Sequence, residues 1–236
     1  MERAGMVLDV VLMVRILTLK LQRTYLFITL FALLGIFYDG VELWLGSQSE
    51  AFIRVDFLSK FVYSIVFPLA IWDLFEEAKA IVEKLRKLAM SRMVSSLFFI
   101  SIWGLLIAAF TGGDEGDSSS YLVRVAFILW TGAVAASLAF LWVMRRGIKA
   151  NRWTLPSNTR IWFRFFQLLL VVEAVWCALE LLLMSMKASG SKLVSTIADA
   201  SSPLLQFSVL ALTAWCVFRL RAVPSEADNV PADVKP

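Results

Sequence analysis

A chain of 236 residues that is 59% hydrophobic and only 18% charged, with a mean hydropathy of +0.75, is too apolar for a water-soluble domain, where about a quarter of residues are charged. Lipid has to cover much of such a surface, and the net charge of +4 sits at membrane edges rather than on a nucleic-acid face. The absence of histidine argues against histidine-held haem, most zinc sites and a histidine proton relay, and removes any Ser–His–Asp or Cys–His nucleophile set.

Spanning a bilayer as helix takes about 20 apolar residues. The apolar runs predict an all-α, seven-transmembrane-helix bundle over residues 1–221, with spans at roughly 5–20, 24–46, 57–78, 93–111, 121–145, 161–186 and 200–221. The runs are too long, and too free of hairpin turns, for a membrane β-barrel. Backbone groups in lipid must be satisfied within each segment, which helices achieve.

The first span carries Asp9 and Arg15, and its apolar runs are short. A signal peptide is one rival, but Asp9 interrupts the apolar region and no small-residue cleavage site follows. An amphipathic helix on the inner surface is another. The second span contains Asp39 and Glu42, and the third contains Lys60. Asp73–Arg92 reads as a helical extension beyond the membrane, in which Glu83 and Lys87 are spaced i,i+4 with the acid first. The loop Thr111–Ser120 holds Asp114, Glu115 and Asp117, but reads as a solvated turn, because calcium loops need a longer ligand pattern. The sixth span carries Glu173, Trp176, Cys177 and Glu180. Cys177 and Cys216 fall at different depths, about 13 Å apart along the normal at 1.5 Å per residue, so no disulfide is expected. The tail 222–236, with three prolines and mixed charge, is expected to be a disordered cytoplasmic segment.

Lysine and arginine sort the connections. Lys20 and Arg23, the five basic residues of 79–92, the six of 145–164, and Arg219, Arg221 and Lys235 fall on one side; only Arg3, Arg54, Lys60, Arg124, Lys187 and Lys192 fall on the other. The positive-inside rule then places the N-terminus out and the C-terminus in, and the expected location is an inner (plasma) membrane. Trp44, Trp72, Trp142, Trp153, Trp162 and Trp215 stand near predicted helix ends, where indole anchors at the headgroups.

Glu42-Leu-Trp-Leu-Gly-Ser47 echoes Glu180-Leu-Leu-Leu-Met-Ser185, and Ala70-Ile-Trp72 echoes Thr213-Ala-Trp215. Such matches would suit a 3+1+3 repeat of the kind transporters use.

An acid inside a bilayer costs roughly 2.5–3.5 kcal/mol on insertion scales. Asp9, Asp39, Glu42 and Glu180 nevertheless fall in the outer half, with Glu173 near the middle and Lys60 at matching depth. Asp39 and Glu42 share a helix face, and Glu173 and Glu180 differ by about 20° around the axis, with Trp176 and Cys177 between them. Two readings compete. In one, the acids pair with Lys60, Arg124, Ser64, Ser201, Ser202 or Gln206 to fasten the bundle. In the other, Glu173, Glu180, Trp176, Asp39, Glu42, Lys60 and Asp9 line an outward cavity for a cation, an amine or a proton. There Glu173 is a candidate proton carrier, Trp176 a wall, and Lys60 the balance for Asp39 or Glu42.

No cofactor, metal or catalytic residue is expected. No phosphate-binding loop is present, and the last helix lacks the mid-span lysine of retinal proteins. Asp39 and Asp73 are predicted near opposite membrane faces, too far apart for an intramembrane aspartyl pair. The expected class is therefore a non-enzymatic multi-pass protein of transport or solute binding. The alternative is a sensor or scaffold subunit whose basic inner loops contact a cytoplasmic partner or anionic lipid.

The layout resembles a group of short, uncharacterised bacterial seven-helix membrane proteins. The resemblance rests on Arg15-Ile-Leu-Thr-Leu-Lys-Leu-Gln-Arg-Thr-Tyr25, Ile71-Trp-Asp-Leu-Phe-Glu-Glu77 and Leu155-Pro-Ser-Asn158; it implies no known activity. The N-out plan is also similar to 3+1+3 sugar transporters, although the Pro-Gln signature of that family is missing.

Overall fold

The computed structural model describes residues 2–46, 49, 51–52, 54–56, 58–76, 118–150, 152, 154–187 and 192–221. Among these residues there are six long helices and no strand: α1 (Glu2–Thr18), α2 (Leu26–Leu45), α3 (Arg54–Glu76), α4 (Ser118–Ala150), α5 (Ser157–Lys187) and α6 (Lys192–Arg219). The predicted span at 93–111, the inner segment 79–92, the acidic loop through Asp117 and the tail 222–236 lie outside the described residues. Four stretches are long and apolar enough to cross a membrane: α2, α3, Val125–Ala150 of α4 and Ser157–Glu180 of α5. They mark the chain as membrane-associated.

Helices overrun the predicted spans where polar residues continue the turn. Lys192–Asp199 belongs to α6 although only Pro203–Arg219 is continuously apolar. Apolar length measures lipid, whereas the helix ends where capping ends it. Thus α1 stops at Lys20, whose φ of 55° puts it in the left-handed region usual for a helix-ending residue. A single 3₁₀ turn, Leu21–Arg23, then reverses the chain into α2.

The helices form a ring. α1 packs between α2 and α6, and α5 packs between α4 and α6. α3 closes the ring through aromatic contacts: Phe31 of α2 with Phe67 of α3 (centroids 5.1 Å apart), Phe67 with Trp130 of α4 (5.1 Å) and Phe75 with Phe140 of α4 (6.1 Å). Between helices in lipid there is little water left to expel, so these edge-to-face contacts hold the ring by packing rather than by the hydrophobic effect.

One pole of the ring is tied by polar clasps. Arg15 donates to the carbonyl of Leu220 (3.1 Å), and Tyr25 and Thr159 share a hydroxyl bond (3.0 Å). The Asn158 amide bonds both ways to the Arg221 backbone (2.8 and 3.0 Å). Asp73 of α3 accepts from the backbone N–H groups of Phe27 (2.5 Å) and Ile28 (3.0 Å). These bonds bring together the C-terminal ends of α1, α3 and α6 and the N-terminal ends of α2 and α5, so α2 and α5 run opposite to α1, α3 and α6. Exposed basic residues, among them Lys20, Arg23, Arg145, Lys149, Arg160 and Arg164, stud the same pole.

The outer surface is apolar: Val7, Val11 and Val14 of α1, Leu33 and Phe37 of α2, Leu58 and Ile65 of α3, and Leu204 and Phe207 of α6 are all exposed. Trp44 is 83% exposed and Trp142 carries the Arg146 guanidinium 3.6 Å from its ring centroid, as headgroup anchors would. Trp162 is a correction. It was predicted as such an anchor, but it is 0% exposed. It stands on the second turn of α5 against Tyr25, Phe165 and Phe166, because that turn faces the clasped pole of the ring rather than its rim.

Candidate functional site

The site begins with two matching four-residue steps. Gly5 and Asp9 stand one turn apart on α1, and Gly35 and Asp39 one turn apart on α2. The two helices run antiparallel, and each glycine lies under the other helix's carboxyl group. A Cβ built on Gly5 would stand 3.0 Å from Asp39 Oδ2, and one built on Gly35 would collide with Asp9 Oδ2. Leu12 and Ile16 continue the α1 face, and Ala32 and Ile28 continue the α2 face; all four are buried. Small residues thus let the helices approach, and the space so made is filled by acid. Asp9 also lies within the field of Asp39.

α3 supplies a second group. Asp56 accepts a hydrogen bond from the Tyr38 hydroxyl of α2 (2.9 Å) and pairs with Lys60 (2.9 Å) one turn along. The Lys60 ion pair is to Asp56, within its own helix, and Asp39 and Glu42 line the same cavity. The i,i+4 geometry with the acid first is the local, low-entropy choice for a lysine. Asp56 fell just outside the predicted third span and was not counted among the acids of the membrane; its spacing to Lys60 was the available signal.

α5 supplies the third. The indole N–H of Trp176 donates to Glu180 Oε1 (2.9 Å), one turn along. Glu173, Trp176 and Glu180 share the inward face, as their spacing predicts. Cys177 does not; it is buried toward Thr131 of α4.

These groups meet around one cavity of about 550 Å³. All seven sequence-predicted candidates line it: Asp9, Asp39, Glu42, Lys60, Glu173, Trp176 and Glu180. Sequence reasoning missed Asp56, Tyr38, Tyr63 and the floor made by Phe31, Phe67, Trp130 and Phe165. The cavity is partly open. It lies between the α1, α2, α3, α5 and α6 segments away from the clasped basic pole, and its aromatic floor separates it from that pole. Of the proposed fastening partners, Gln206 lines the cavity, whereas Ser64 bonds back to the Phe61 carbonyl of its own helix (2.6 Å). The side chains of Arg124, Asp199 and Ser202 lie outside the described residues.

The lining is unbalanced. Among the described residues, six carboxyl groups line the cavity (Asp9, Asp39, Glu42, Asp56, Glu173 and Glu180) against one ammonium, that of Lys60. Such an excess can hold a cation, share protons, or both. Among the described residues no three metal-ligating side chains converge. Asp73, with its carboxyl group at the clasped pole, is remote from Asp39 in the cavity.

No protein-family model, curated protein or solved structure matches the chain.

Proposed function

We propose that the protein is a seven-span membrane protein, N-terminus out and C-terminus in, that takes a small cationic solute or a proton into the acidic cavity for transport or binding. The observation that carries this reading is the convergence of six carboxyl groups from α1, α2, α3 and α5 on one partly open cavity with one lysine among its described lining residues. Bundles fastened by polar contacts alone pair their charges and fill their centres, because an unfilled acidic space inside a membrane is costly. The orientation rests on the basic pole: cytoplasmic edges collect lysine and arginine, so a cavity on the other side of the aromatic floor opens outward. α1, at about 25 Å for 17 residues, is short for a bilayer core of about 30 Å. Its exposed valines, and its place in the ring beside α2 and α6, favour spanning over lying on the surface.

The exposed basic pole favours a second reading, a sensor or scaffold that binds anionic lipid or a cytoplasmic partner. Flux separates the two. Proteoliposomes holding the wild-type chain should take up protons or labelled methylammonium under an inside-negative potential. The Glu173→Gln, Glu180→Gln double variant should fall to the level of protein-free vesicles while remaining folded. Equal flux in the double variant defeats the site assignment, and no flux in the wild type favours the second reading.

A further inference from the structure

The cavity's occupant can be narrowed by asking which of its polar groups already have partners. Asp56 is engaged by Lys60 and Tyr38, and Glu180 by Trp176. Asp9 and Glu173 accept no hydrogen bond from the described residues, and the hydroxyl of Tyr63 makes none either. Tyr63 lies within the field of Asp9, Asp39 and Glu173 together. Three polar groups from three helices therefore line one space without a hydrogen bond from the described residues, with the Lys60 ammonium in the field of Glu173. Buried polar groups in membrane proteins are normally satisfied, so this space calls for a donor-bearing guest or for water.

Size and lining decide between guests. A metal ion needs several oxygens at about 2.0–2.6 Å, and among the described residues no such group converges. A volume of about 550 Å³ instead falls in the range of sites for drug-sized molecules. The rings at the floor are arranged edge to face: Tyr63 against Trp130 with centroids 6.0 Å apart, and Phe67 against both Phe31 and Trp130 at 5.1 Å. Ring faces attract cations and ring edges pack apolar groups.

We propose that the cavity accepts an organic ammonium ion with at least one N–H and an apolar or aromatic body. The N–H groups donate to the carboxyl oxygens of Asp9 and Glu173, with the Tyr63 hydroxyl as a further acceptor. The body rests on the floor of Phe31, Phe67 and Trp130. An ammonium with only methyl groups offers no donor to these acids, and a neutral molecule of the same shape leaves their charge unmatched. This rests on the cationic-cavity reading above and names its substrate class.

The test is a ligand series on the full-length protein in nanodiscs, read by calorimetry and by tryptophan fluorescence, with empty nanodiscs subtracted for partition into lipid. The probes are 2-phenylethylammonium, its N-trimethyl derivative, methylammonium and the neutral 2-phenylethanol. 2-Phenylethylammonium should bind at least about tenfold more tightly than each of the other three, about 1.4 kcal/mol by the standard conversion. Glu173→Gln should weaken it by about tenfold or more, and Tyr63→Phe by a smaller factor. Equal binding of 2-phenylethanol would overturn the inference, because the cavity would then be merely apolar. Equal binding of the trimethyl derivative would also overturn it, because the N–H would then contribute nothing. Methylammonium binding as tightly, in a manner lost in Glu173→Gln, would overturn the inference yet leave the cationic cavity standing. Absence of binding by every cation would overturn both. The wild-type ligand series decides these cases even if a variant fails to fold.

Discussion

Replacing Gly35 by leucine should abolish the folded protein, and replacing it by alanine should lower its thermal stability in detergent by several degrees. The Cβ at this position enters the space held by the Asp9 carboxyl group. Either Asp9 turns away from the cavity, the cheaper response at about 1 kcal/mol, or α1 and α2 separate, at up to about 3 kcal/mol. The partner of the collision identifies itself by rescue. Asp9→Ala removes the obstructing carboxyl, so Gly35→Ala should cost little in that background and the two changes should be strongly non-additive. Gly5→Ala is milder, because its Cβ would sit 3.0 Å from Asp39 Oδ2. Fluorescence-detected size exclusion after heating measures each variant beside the wild type. Additive losses in the Asp9, Gly35 pair would show that the acid does not lie over the glycine.

The second large effect is at the opposite pole. Tyr25, the residue preceding α2, provides no side-chain cap. The free N–H groups of the first turn are met instead by Asp73, reaching across from α3. Asp73 is itself buried. Asp73→Ala leaves one buried and one part-buried donor unmet and removes an acid from the positive end of the α2 dipole. It should cost about 2–4 kcal/mol, from two charge-assisted bonds and their desolvated donors. Asp73→Asn keeps one acceptor and should lose less. Because the bond ties α3 to α2, the loss should appear as easier proteolysis at the basic pole as well as in the melting temperature. An unaltered melting temperature in Asp73→Ala would mean that the first turn of α2 is satisfied by other groups.

The sequence carried the long elements and most of the acid site. Periodicity and the cost of acids in lipid placed Glu173, Trp176 and Glu180 on one inward face, and the same argument turned Asp39 and Glu42 inward. Depth from the charge pattern put Asp9 and Lys60 beside them. What escaped were relations between helices. That Gly5 faces Asp39 while Gly35 faces Asp9 depends on the antiparallel register of α1 on α2. The repeated Gly-x-x-x-Asp spacing hinted at it, but only the register gives it meaning. Tyr38 and Asp56 join across helices that sequence leaves unpaired, and Lys60 pairs with the acid one turn away on its own helix. Trp162 was misplaced because closeness to a helix end was taken as closeness to the headgroups. In a ring whose clasped pole is packed with aromatic rings, an early turn can be as buried as the centre.

Cysteine labelling tests the central claim, an acidic cavity open to the side opposite the basic pole, most directly. The two native thiols, Cys177 and Cys216, are buried, so background labelling is low. Single cysteines are placed at Glu180 in the cavity, at Trp44 on the same rim, and at Arg152 on the basic pole, and spheroplasts are treated with a small membrane-impermeant maleimide. The Glu180 and Trp44 positions should react in intact spheroplasts and the Arg152 position only after permeabilisation. Reaction at Arg152 in intact spheroplasts, or protection at Glu180 until the membrane is opened, would contradict the account.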